Sequence, residues 1–352
     1  MNRTTQIHLL APPRRRLPEV EADHSWLTPG GGCLYTGIRC DHPSLQEWTE
    51  DASLEVWEVT APEPGLRAHI HHCKEHDSFR EICTELALTG MHILQVETRN
   101  GDAILKLSDG AEAKAATMHM RPLSERLDTD ISIVGAAPSP SLTEPGCLLM
   151  DMDSTLIRCE CIDEIGDFLG IKEKIAAITR RAMEGELDFA ASLTQRVALL
   201  AGLEATVLDE VYEQRIRLTD GAERLIATLH EHGWKVGVVS GGFTYFTDKL
   251  QAHLQLDFAL SNRLEIVDSR LTGRVLGEIV DAEAKRIALT RQAEAWSIPM
   301  RQTVAIGDGA NDLPMIEAAG LGIAFHAKPK VRELAPYAIS HGGLDRALDL
   351  LV

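Results

Sequence analysis

A short, continuous run of apolar residues, Cys147–Met150, interrupts the mixed polar pattern of the chain. Pro145 and Gly146 precede this run and Asp151 follows it, so it has the length and the boundaries of a single strand. Apolar side chains at every position, rather than at alternate positions, are typical of a strand covered on both faces of a parallel sheet. The pattern therefore predicts a strand at the centre of such a sheet.

Strand-like and helix-like patterns alternate after this run. Apolar and β-branched residues predict strands at 236–239, 304–306 and 322–325, and helical patterns lie between them. Residues 166–218 carry helical patterns alone, which predicts a small helical cap inserted behind the first strand. Repeated strand–helix units are typical of a doubly wound parallel sheet with right-handed crossovers. We therefore predict an α/β domain with an inserted cap over residues 146–352.

The chain before residue 146 shows a different pattern. Residues 1–30 are rich in Pro, Arg and Gly, and we expect them to form a flexible arm. Residues 31–135 combine short apolar runs with a helical stretch near 78–88, which predicts a smaller α+β domain. Three prolines among small polar residues at 136–145 are typical of a linker.

A group of histidines raises the question of a metal site in this smaller domain. Five potential ligands lie within eight residues: His69, His71, His72, Cys73 and His76. Alternate residues of a strand point to the same face, so at best His69 and His71 would converge, and the spacing of a zinc site is absent. We favour a polar surface loop over a set of ligands.

Composition and charge exclude several functional classes. The 352-residue chain is 44% hydrophobic and 25% charged, as is ordinary for globular proteins, and its length predicts two or three domains. A formal charge of -18 disfavours nucleic acid as a partner, because that binding depends on basic patches. The apolar runs are too short to cross a membrane, and the N-terminus lacks the pattern of a secretory signal. Seven cysteines without a repeated spacing suit a reducing compartment, so we expect a cytoplasmic protein.

The predicted central strand ends in two acidic residues. Asp151 and Asp153 would leave an extended chain on the same side, so that two carboxylates face one point. Neighbouring anions repel each other, and a site that keeps both ionised needs a cation, most simply a hard divalent metal ion. Aspartates that cap a helix are the structural alternative, but capping explains one of the two and not both.

Polar groups also follow two other predicted strands. Ser240 and Gly241 can hold phosphate oxygens near a helix N-terminus, although the sequence SGG is also a common turn. In the sequence GDGAND, Asp308 projects from a strand end, and Asn311 or Asp312 can cap the next helix. Ligands of parallel sheets bind beyond the carboxyl ends of the strands, so both groups are expected near the acidic pair.

These motifs, in this order, resemble those of a known enzyme family. The sequence DMDSTLI, which starts at Asp151, is similar to the nucleophile motif of the haloacid dehalogenase-like phosphohydrolases. The region from about Gly146 to the C-terminus resembles the phosphoserine phosphatases of that superfamily. The resemblance implies magnesium-dependent hydrolysis of O-phosphoserine to serine and phosphate, the last step of serine biosynthesis. Residues 31–135 hold the position of the regulatory, ACT-like domains that precede some of these enzymes, and a homodimer is the assembly considered.

The resemblance also implies a role for each polar group. Asp151 would be the nucleophile that forms an aspartyl phosphate, and Asp153 would be the general acid and base. Lys285 would neutralise the phosphate and the nucleophile. Mg²⁺ would bind Asp151, Asp308 and the backbone carbonyl of Asp153, with Asp312 as support. The remaining substrate-binding positions near the phosphate are Ser240, Gly241 and Asn311.

Substrate selection depends on fewer residues. Glu160 corresponds to the family's residue that faces the substrate ammonium group, and Arg196 corresponds to the arginine that grips the carboxylate. Phe189 lies seven residues before Arg196, so both share one face of a cap helix and would face the substrate. Taken alone, Glu160 and Arg196 would more often be surface charges. Two alternatives therefore stay open, a phosphatase of this superfamily for another small phosphomonoester and an amino-acid-sensing module.

Overall fold

The computed structural model describes residues 5–13, 15, 17, 24–39, 43–60, 64–99, 102–108, 112–135 and 140–351. The chain divides into two compact units, one formed by residues 1–139 with 352 and the other by residues 140–351. The boundary lies within the segment 136–145 that is predicted to be a linker, of which residues 136–139 lie outside the described residues. In the second unit, the buried side chain of Gln302 donates to the carbonyls of Ser141 and Glu144 at 3.1 and 3.2 Å, so the end of this segment is fastened to its unit.

An antiparallel sheet begins the N-terminal unit. Its elements are β1 (Thr5–Ala11), β2 (His24–Leu27), β3 (Cys33–Arg39), α1 (Leu45–Glu50) and β4 (Glu55–Thr60). The strands have the spatial order β2-β3-β1-β4. Leu9, Ile38 and Trp48 are buried in the core of this part, so burial of apolar side chains holds α1 against the sheet.

A second antiparallel sheet follows in the same unit. Its elements are β5 (Pro64–His71), α2 (His76–Leu88), β6 (Ile93–Arg99), β7 (Asp102–Ser108), α3 (Ala113–Arg126) and β8 (Asp130–Gly135). The order β6-β7-β5-β8 and the βαββαβ connectivity define a ferredoxin-like fold. Phe79 of α2 and Met120 of α3 pack with Ile70 and Leu105 of the sheet. The α+β class predicted for this part is confirmed over its described residues.

The flexible arm predicted for residues 1–30 is wrong over the described part of that range. Thr5–Ala11 and His24–Leu27 are strands, and β1 pairs on both sides, with β3 and with β4. Leu9 and Leu10 are at most 1% exposed, so the first strand buries its apolar residues as an interior strand does. The Pro and Arg residues between the two strands dominate the composition of the range and conceal this short apolar run.

The polar surface loop predicted for the histidine group is also wrong. His69 and His71 lie on β5 and are buried, and His76 begins α2. Burial is the main reason that the pKa of His69 is lowered to about 3. The ring is therefore neutral, and a neutral imidazole costs less to bury than a charged one. The ring centroids of His69 and His71 are 6.3 Å apart.

A largely parallel sheet forms the core of the C-terminal unit. Its elements are β9 (Cys147–Met150), α4 (Cys161–Phe168), α5 (Lys172–Met183), α6 (Phe189–Ala198), α7 (Thr206–Arg215), α8 (Ala222–Glu231), β10 (Lys235–Phe243), α9 (Thr244–Leu254), β11 (Phe258–Val267), β12 (Arg270–Leu276), α10 (Ala282–Ala295), β13 (Thr303–Gly307), α11 (Leu313–Ala318), β14 (Leu321–Phe325), α12 (Pro329–Leu334) and β15 (Tyr337–Ile339). The strand order is β12-β11-β10-β9-β13-β14-β15, and β12 is antiparallel to β11. The α/β class and the central position of β9 are confirmed. Across the described residues, no helix has both the length and the apolar character needed to cross a membrane.

The central position of β9 follows from its sequence. Each of its residues is at most 1% exposed, as expected for a strand covered on both faces. Leu149 packs with Val239 of β10 and Ala305 of β13, which belong to the two strands that flank β9. An uninterrupted apolar run is therefore the local signal that places the following residues at the middle of the sheet edge.

The helices α4 to α7 form the inserted cap, and several contacts fix it to the sheet. The amide of Gly202, in the loop before α7, donates to the carbonyl of Leu271 on β12 at 2.8 Å. Nζ of Lys249 on α9 lies 2.8 Å from Oδ1 of Asp209 on α7. The same ammonium group lies 5.1 Å from the ring centroid of Tyr212, a cation–π contact. The cap is thus held by both backbone and side-chain contacts.

Candidate active site

Three neighbouring parallel strands end at the same edge of the sheet. Met150 of β9 lies opposite Val238 of β10 and Ile306 of β13. Because the strands are parallel and in register, the residues that follow them emerge together. The polar residues at this edge are Asp151, Ser240 and Asp308.

Asp151 is anchored at the tip of β9. Its amide donates to the carbonyl of Ile306 at 2.9 Å, and its Oδ1 accepts the amide of Met152 at 2.7 Å. Its Oδ2 lies 2.8 Å from Nζ of Lys285, a fully buried lysine on α10. Burial alone lowers the pKa of a lysine, but the carboxylates of Asp151 and Asp312 outweigh burial and raise the pKa of Lys285. Lys285 therefore stays charged beside Asp151.

Asp312 is the second partner of this buried lysine. Its Oδ1 lies 2.7 Å from Nζ of Lys285, and its Oδ2 accepts the amide of Gly309 at 3.0 Å. Gly307 leaves the space that the Asp312 carboxylate occupies, because an added Cβ at Gly307 would overlap with it. Burial and repulsion from Asp151 raise the pKa of Asp312 to about 7, against the effect of Lys285. Asp312 thus links Lys285 to the turn at Gly309.

Asp308 completes a group of three carboxylates. Oxygen atoms of Asp151, Asp308 and Asp312 all lie within 4.8 Å of one another. Oγ1 of Thr155 donates to Oδ1 of Asp308 at 3.4 Å. Burial, followed by the charges of Asp151 and Asp312, raises the pKa of Asp308 to about 7. Clustered oxygen donors whose charges repel one another fit a divalent cation such as Mg²⁺, which prefers hard oxygen ligands.

Asp153 lies two residues beyond Asp151 in a tight turn. Its Oδ1 accepts the amide of Cys161 at 3.0 Å. Its Oδ2 lies so close to Gly242 that an added Cβ there would be 2.7 Å away. Burial, and then the neighbouring carboxylates, raise the pKa of Asp153. A carboxyl group with a raised pKa holds a proton near neutral pH, as a general acid must.

The segment Ser240–Gly242 meets the cap. Oγ of Ser240 is buried and accepts the amide of Gly242 at 2.9 Å, so its own hydroxyl hydrogen is free to donate to an anion. Gly241 faces Phe189 on α6, because an added Cβ at Gly241 would lie 2.7 Å from Cζ of the ring. A side chain at this position would push the cap helix away. The predicted phosphate-binding pair and the predicted cap aromatic residue are therefore in contact.

Glu160 is held by an unusual turn. Ser154 has a φ of 55°, a left-handed conformation that is uncommon for residues other than glycine. This conformation lets the Ser154 amide donate to the carbonyl of Cys159 at 3.1 Å, and its Oγ donate to Oε1 of Glu160 at 2.8 Å. Burial raises the pKa of Glu160, and the hydrogen bond from Ser154 opposes that change. The Glu160 carboxylate is thus oriented by the turn rather than by the sheet.

Arg196 and Asn311 make local contacts within their own elements. Nε of Arg196 donates to the carbonyl of Ser192 in the same helix at 3.4 Å. Burial lowers the pKa of Arg196, and the negative charge of Glu160 opposes this effect, so the two groups lie within electrostatic reach. Asn311 lies in the turn Ala310–Asp312, with Oδ1 against Gly309. Direct contacts thus join the lysine to its two aspartates and Phe189 to Gly241, whereas Arg196 and Asn311 contact their own elements.

Some residues around the site escape the sequence patterns. Ser154 and Thr155 lie inside the first motif, and nothing in their spacing separates them from its other members. Asn262, on β11, donates from Nδ2 to the carbonyl of Gly241 at 2.9 Å. Asparagine is depleted in strands, which makes the position unusual, but the sequence does not show that this side chain is buried.

Comparisons with known proteins identify relatives of this chain. The sequence model of the haloacid dehalogenase-like hydrolases matches residues 148–317. A phosphoserine phosphatase of Polaromonas sp. is 50% identical over 221 residues, which cover 61% of this chain and 94% of that protein. One of Streptomyces coelicolor is 51% identical over 242 residues, which cover 69% of this chain and only 58% of that protein. A crystal structure of a probable phosphoserine phosphatase from Vibrio cholerae has a TM-score of 0.67 at 39% identity and covers 82% of this chain and 86% of that one.

A parallel sheet with an inserted cap, and aspartates at the ends of its central strands, are features of the haloacid dehalogenase-like hydrolases, and the chain belongs to that family. The relatives of the chain indicate its branch within that family. Half of the aligned positions are identical to those of phosphoserine phosphatases, so the chain belongs to the phosphoserine phosphatase branch of the family.

Replacing the buried lysine tests how strongly the site depends on it. Lys285→Met leaves Asp151 and Asp312 buried without their cation, so we expect the free energy of unfolding to fall by about 3–5 kcal/mol. Urea denaturation of the full chain measures this loss. Lys235→Met is the matched control, because Lys235 pairs with Asp257 at 2.6 Å and is 46% exposed. That control should cost about 1 kcal/mol or less. Equal losses in the two variants would contradict the central role of Lys285.

Proposed function

We propose that the protein is a magnesium-dependent phosphoserine phosphatase that hydrolyses O-phosphoserine to serine and phosphate. The observation that carries the proposal is the buried pair of Asp151 and Lys285 at the tip of the central strand, with Asp153 two residues away. The buried carboxylate of Asp151 adds nothing to apolar packing. It lies where a bound phosphate would contact both a cation and a proton donor. The activity would release serine in serine biosynthesis, in the cytoplasm.

The first step transfers the phosphoryl group to the protein. A carboxylate oxygen of Asp151 forms a bond to phosphorus while the bond between phosphorus and the serine oxygen breaks. Asp153, whose pKa is raised mainly by burial, donates its proton to the departing serine oxygen. Lys285 and the Ser240 hydroxyl stabilise the negative charge on the phosphoryl oxygens. The products of this step are serine and an aspartyl phosphate.

The second step restores the carboxylate. Asp153, now ionised, takes a proton from a water molecule, and the water oxygen bonds to phosphorus. The bond between phosphorus and the Asp151 oxygen breaks, which releases phosphate and leaves Asp153 protonated again. Asp151, Asp308 and the backbone carbonyl of Asp153 would hold Mg²⁺, which would screen the charge of the phosphoryl group. Asp312 supports these residues through Lys285 and Gly309.

Recognition of the amino-acid part of the substrate falls to the cap and the first turn. Glu160, oriented by Ser154, would face the ammonium group. Arg196 would hold the carboxylate, and its position near Glu160 suits a ligand that carries both charges. Phe189 closes the site over Gly241, and Asn311 would line the phosphate side. An amino-acid sensor without catalysis is less favoured, because sensing needs no buried Asp151 and Lys285 pair.

The N-terminal unit is proposed to be an ACT-like regulatory domain within a homodimer. Support comes from the ferredoxin-like order of β5 to β8. The proposal leads us to expect that light scattering on the full chain gives the mass of two chains. It also predicts that serine still binds the Arg196→Ala variant, whose catalytic site lacks its carboxylate partner, in calorimetric titration. A monomer that no longer binds serine after this substitution would contradict both roles.

Replacement of the nucleophile should abolish the reaction. Asp151→Asn keeps the size of the side chain but removes the charge that attacks phosphorus, so phosphate release from phosphoserine should fall by about 10⁴-fold or more. Asp268→Asn, at an exposed turn of the hairpin, is the control and should keep full activity. Chelation with EDTA should also stop the reaction, and added Mg²⁺ should restore it. Turnover that persists in Asp151→Asn or in EDTA would exclude the mechanism.

Substrate selection can be tested with a pair of phosphomonoesters. Arg196→Ala should lower kcat/KM for phosphoserine by about 10–100-fold, the value of a hydrogen bond between charged groups. Phosphoethanolamine has the ammonium and phosphate groups but no carboxylate, so its kcat/KM should not change. Arg181→Ala is the matched control, because Arg181 is an exposed cap arginine paired with Glu186. An equal loss for both substrates would favour another small phosphomonoester as the natural substrate.

A further inference from the structure

The segment Ser240–Gly242 leaves the regular pairing of the sheet. Val239 pairs with Leu260 and Phe243 pairs with Asn262, so three residues of β10 lie opposite a single residue of β11. Such a bulge removes backbone groups from the ladder, and buried backbone groups need other partners. The carbonyl of Gly241 is one of these groups, and it accepts a hydrogen bond from Nδ2 of Asn262 at 2.9 Å.

Both ends of the Asn262 side-chain amide make hydrogen bonds. Its Oδ1 accepts the amide of Val280 at 2.9 Å, while its Nδ2 donates to Gly241. The orientation of the amide is dictated by its partners, since a carbonyl only accepts and a backbone amide only donates. Val280 directly precedes Asp281, the residue that caps α10. The 1% exposed side chain of Asn262 therefore ties the bulge to the start of the helix that carries Lys285.

The hydrogen bond to Gly241 has a consequence for Ser240. The Gly241 carbonyl and the Gly242 amide belong to one trans peptide group and point in opposite directions. Holding the carbonyl toward Asn262 turns the Gly242 amide toward Oγ of Ser240, to which it donates at 2.9 Å. Because its oxygen accepts this bond, the Ser240 hydroxyl points its hydrogen away from the Gly242 amide and can donate it to an anion.

We infer that Asn262 is a positioning residue for phosphate, which acts by orienting the Gly241–Gly242 peptide and, through it, the Ser240 hydroxyl. The inference rests on the proposed function, because that function supplies phosphate as the ligand. The hydrogen bonds that orient the peptide do not depend on it. It makes Asn262 part of the phosphate subsite without contact with phosphate. A residue that merely stabilised β11 would affect the folding of the protein and not its affinity for phosphate.

The test is the affinity of the magnesium-loaded full chain for inorganic phosphate, measured by isothermal titration calorimetry. Asn262→Asp keeps the shape and the acceptor for Val280 but replaces the donor to Gly241 by an oxygen that repels the carbonyl. We expect the Kd for phosphate to rise by about 10-fold, and the KM for phosphoserine to rise with it. An unchanged Kd in a folded Asn262→Asp variant would overturn the inference.

Ser261→Ala is the matched control from the adjacent position of the same strand. Ser261 is also buried, and its Oγ lies 2.7 Å from Oγ1 of Thr247 on α9. This variant should lose a buried hydrogen bond and some thermal stability, yet keep the phosphate affinity. If Ser261→Ala weakens phosphate binding as much as Asn262→Asp does, the effect is general to the strand and the inference fails.

A double-mutant cycle identifies the route of the effect. If Asn262 acts through the Ser240 hydroxyl, Asn262→Asp should change the phosphate Kd little in a Ser240→Ala background. Fully additive losses would contradict that route. Phosphate binding requires no turnover, so the two proposals can fail separately. If the wild type does not hydrolyse phosphoserine but Asn262→Asp still weakens phosphate binding, only the proposed function is rejected. Active wild type with unchanged binding in the variant would reject this inference alone.

Discussion

Carboxylates crowd the carboxyl edge of the central sheet, and most of them are buried or nearly so. Each would be protonated or pushed outward if it stood alone, because burial and like charges both disfavour ionisation. Lys285 makes the arrangement possible, with Nζ 2.8 Å from Asp151 and 2.7 Å from Asp312. Even with this charge present, burial and the neighbouring carboxylates raise the pKa of Asp308 and of Asp312 to about 7. This excess of negative charge favours a divalent cation at the edge, and such a cation would offset the repulsion between the carboxylates and a phosphate dianion.

Close approach between backbone and side chains is the second constraint on the site. Gly307 leaves room for Asp312, Gly242 leaves room for Asp153, and Gly241 leaves room for the ring of Phe189. In each case the glycine matters for the space beside its Cα, since an added Cβ would meet a group that the chemistry needs. Protein interiors are packed too tightly to yield such space elsewhere. Gly241 therefore permits the close approach of the cap to the sheet edge, and Gly307 and Gly242 permit the close approach of Asp312 and Asp153 to the backbone.

The sequence predicts the C-terminal unit well because its signals are local. A short apolar run such as Cys147–Met150, with Pro145 and Gly146 before it, is typical of a covered strand, and the residues after such a strand lie at the sheet edge. The N-terminal strand β1 is missed because neighbouring Pro and Arg residues dominate its composition, and His69 because a neutral imidazole is buried more readily than its polar character indicates. Asn262 is missed for a different reason. Its importance depends on which carbonyl a bulge leaves unpaired, and no spacing along the chain reveals that.

The proposed chemistry and the proposed selection of substrate depend on different parts of the architecture. Asp151 and Lys285 are fixed by the sheet and by a helix packed on it, so their geometry changes only if the core changes. Glu160 depends on the left-handed turn at Ser154, and Arg196 depends on the position of a cap helix. A turn and a cap can shift at a lower cost than a central strand, because they bury fewer contacts. Exchange of the cap residues should therefore alter which phosphomonoester is accepted while the aspartyl-phosphate chemistry persists.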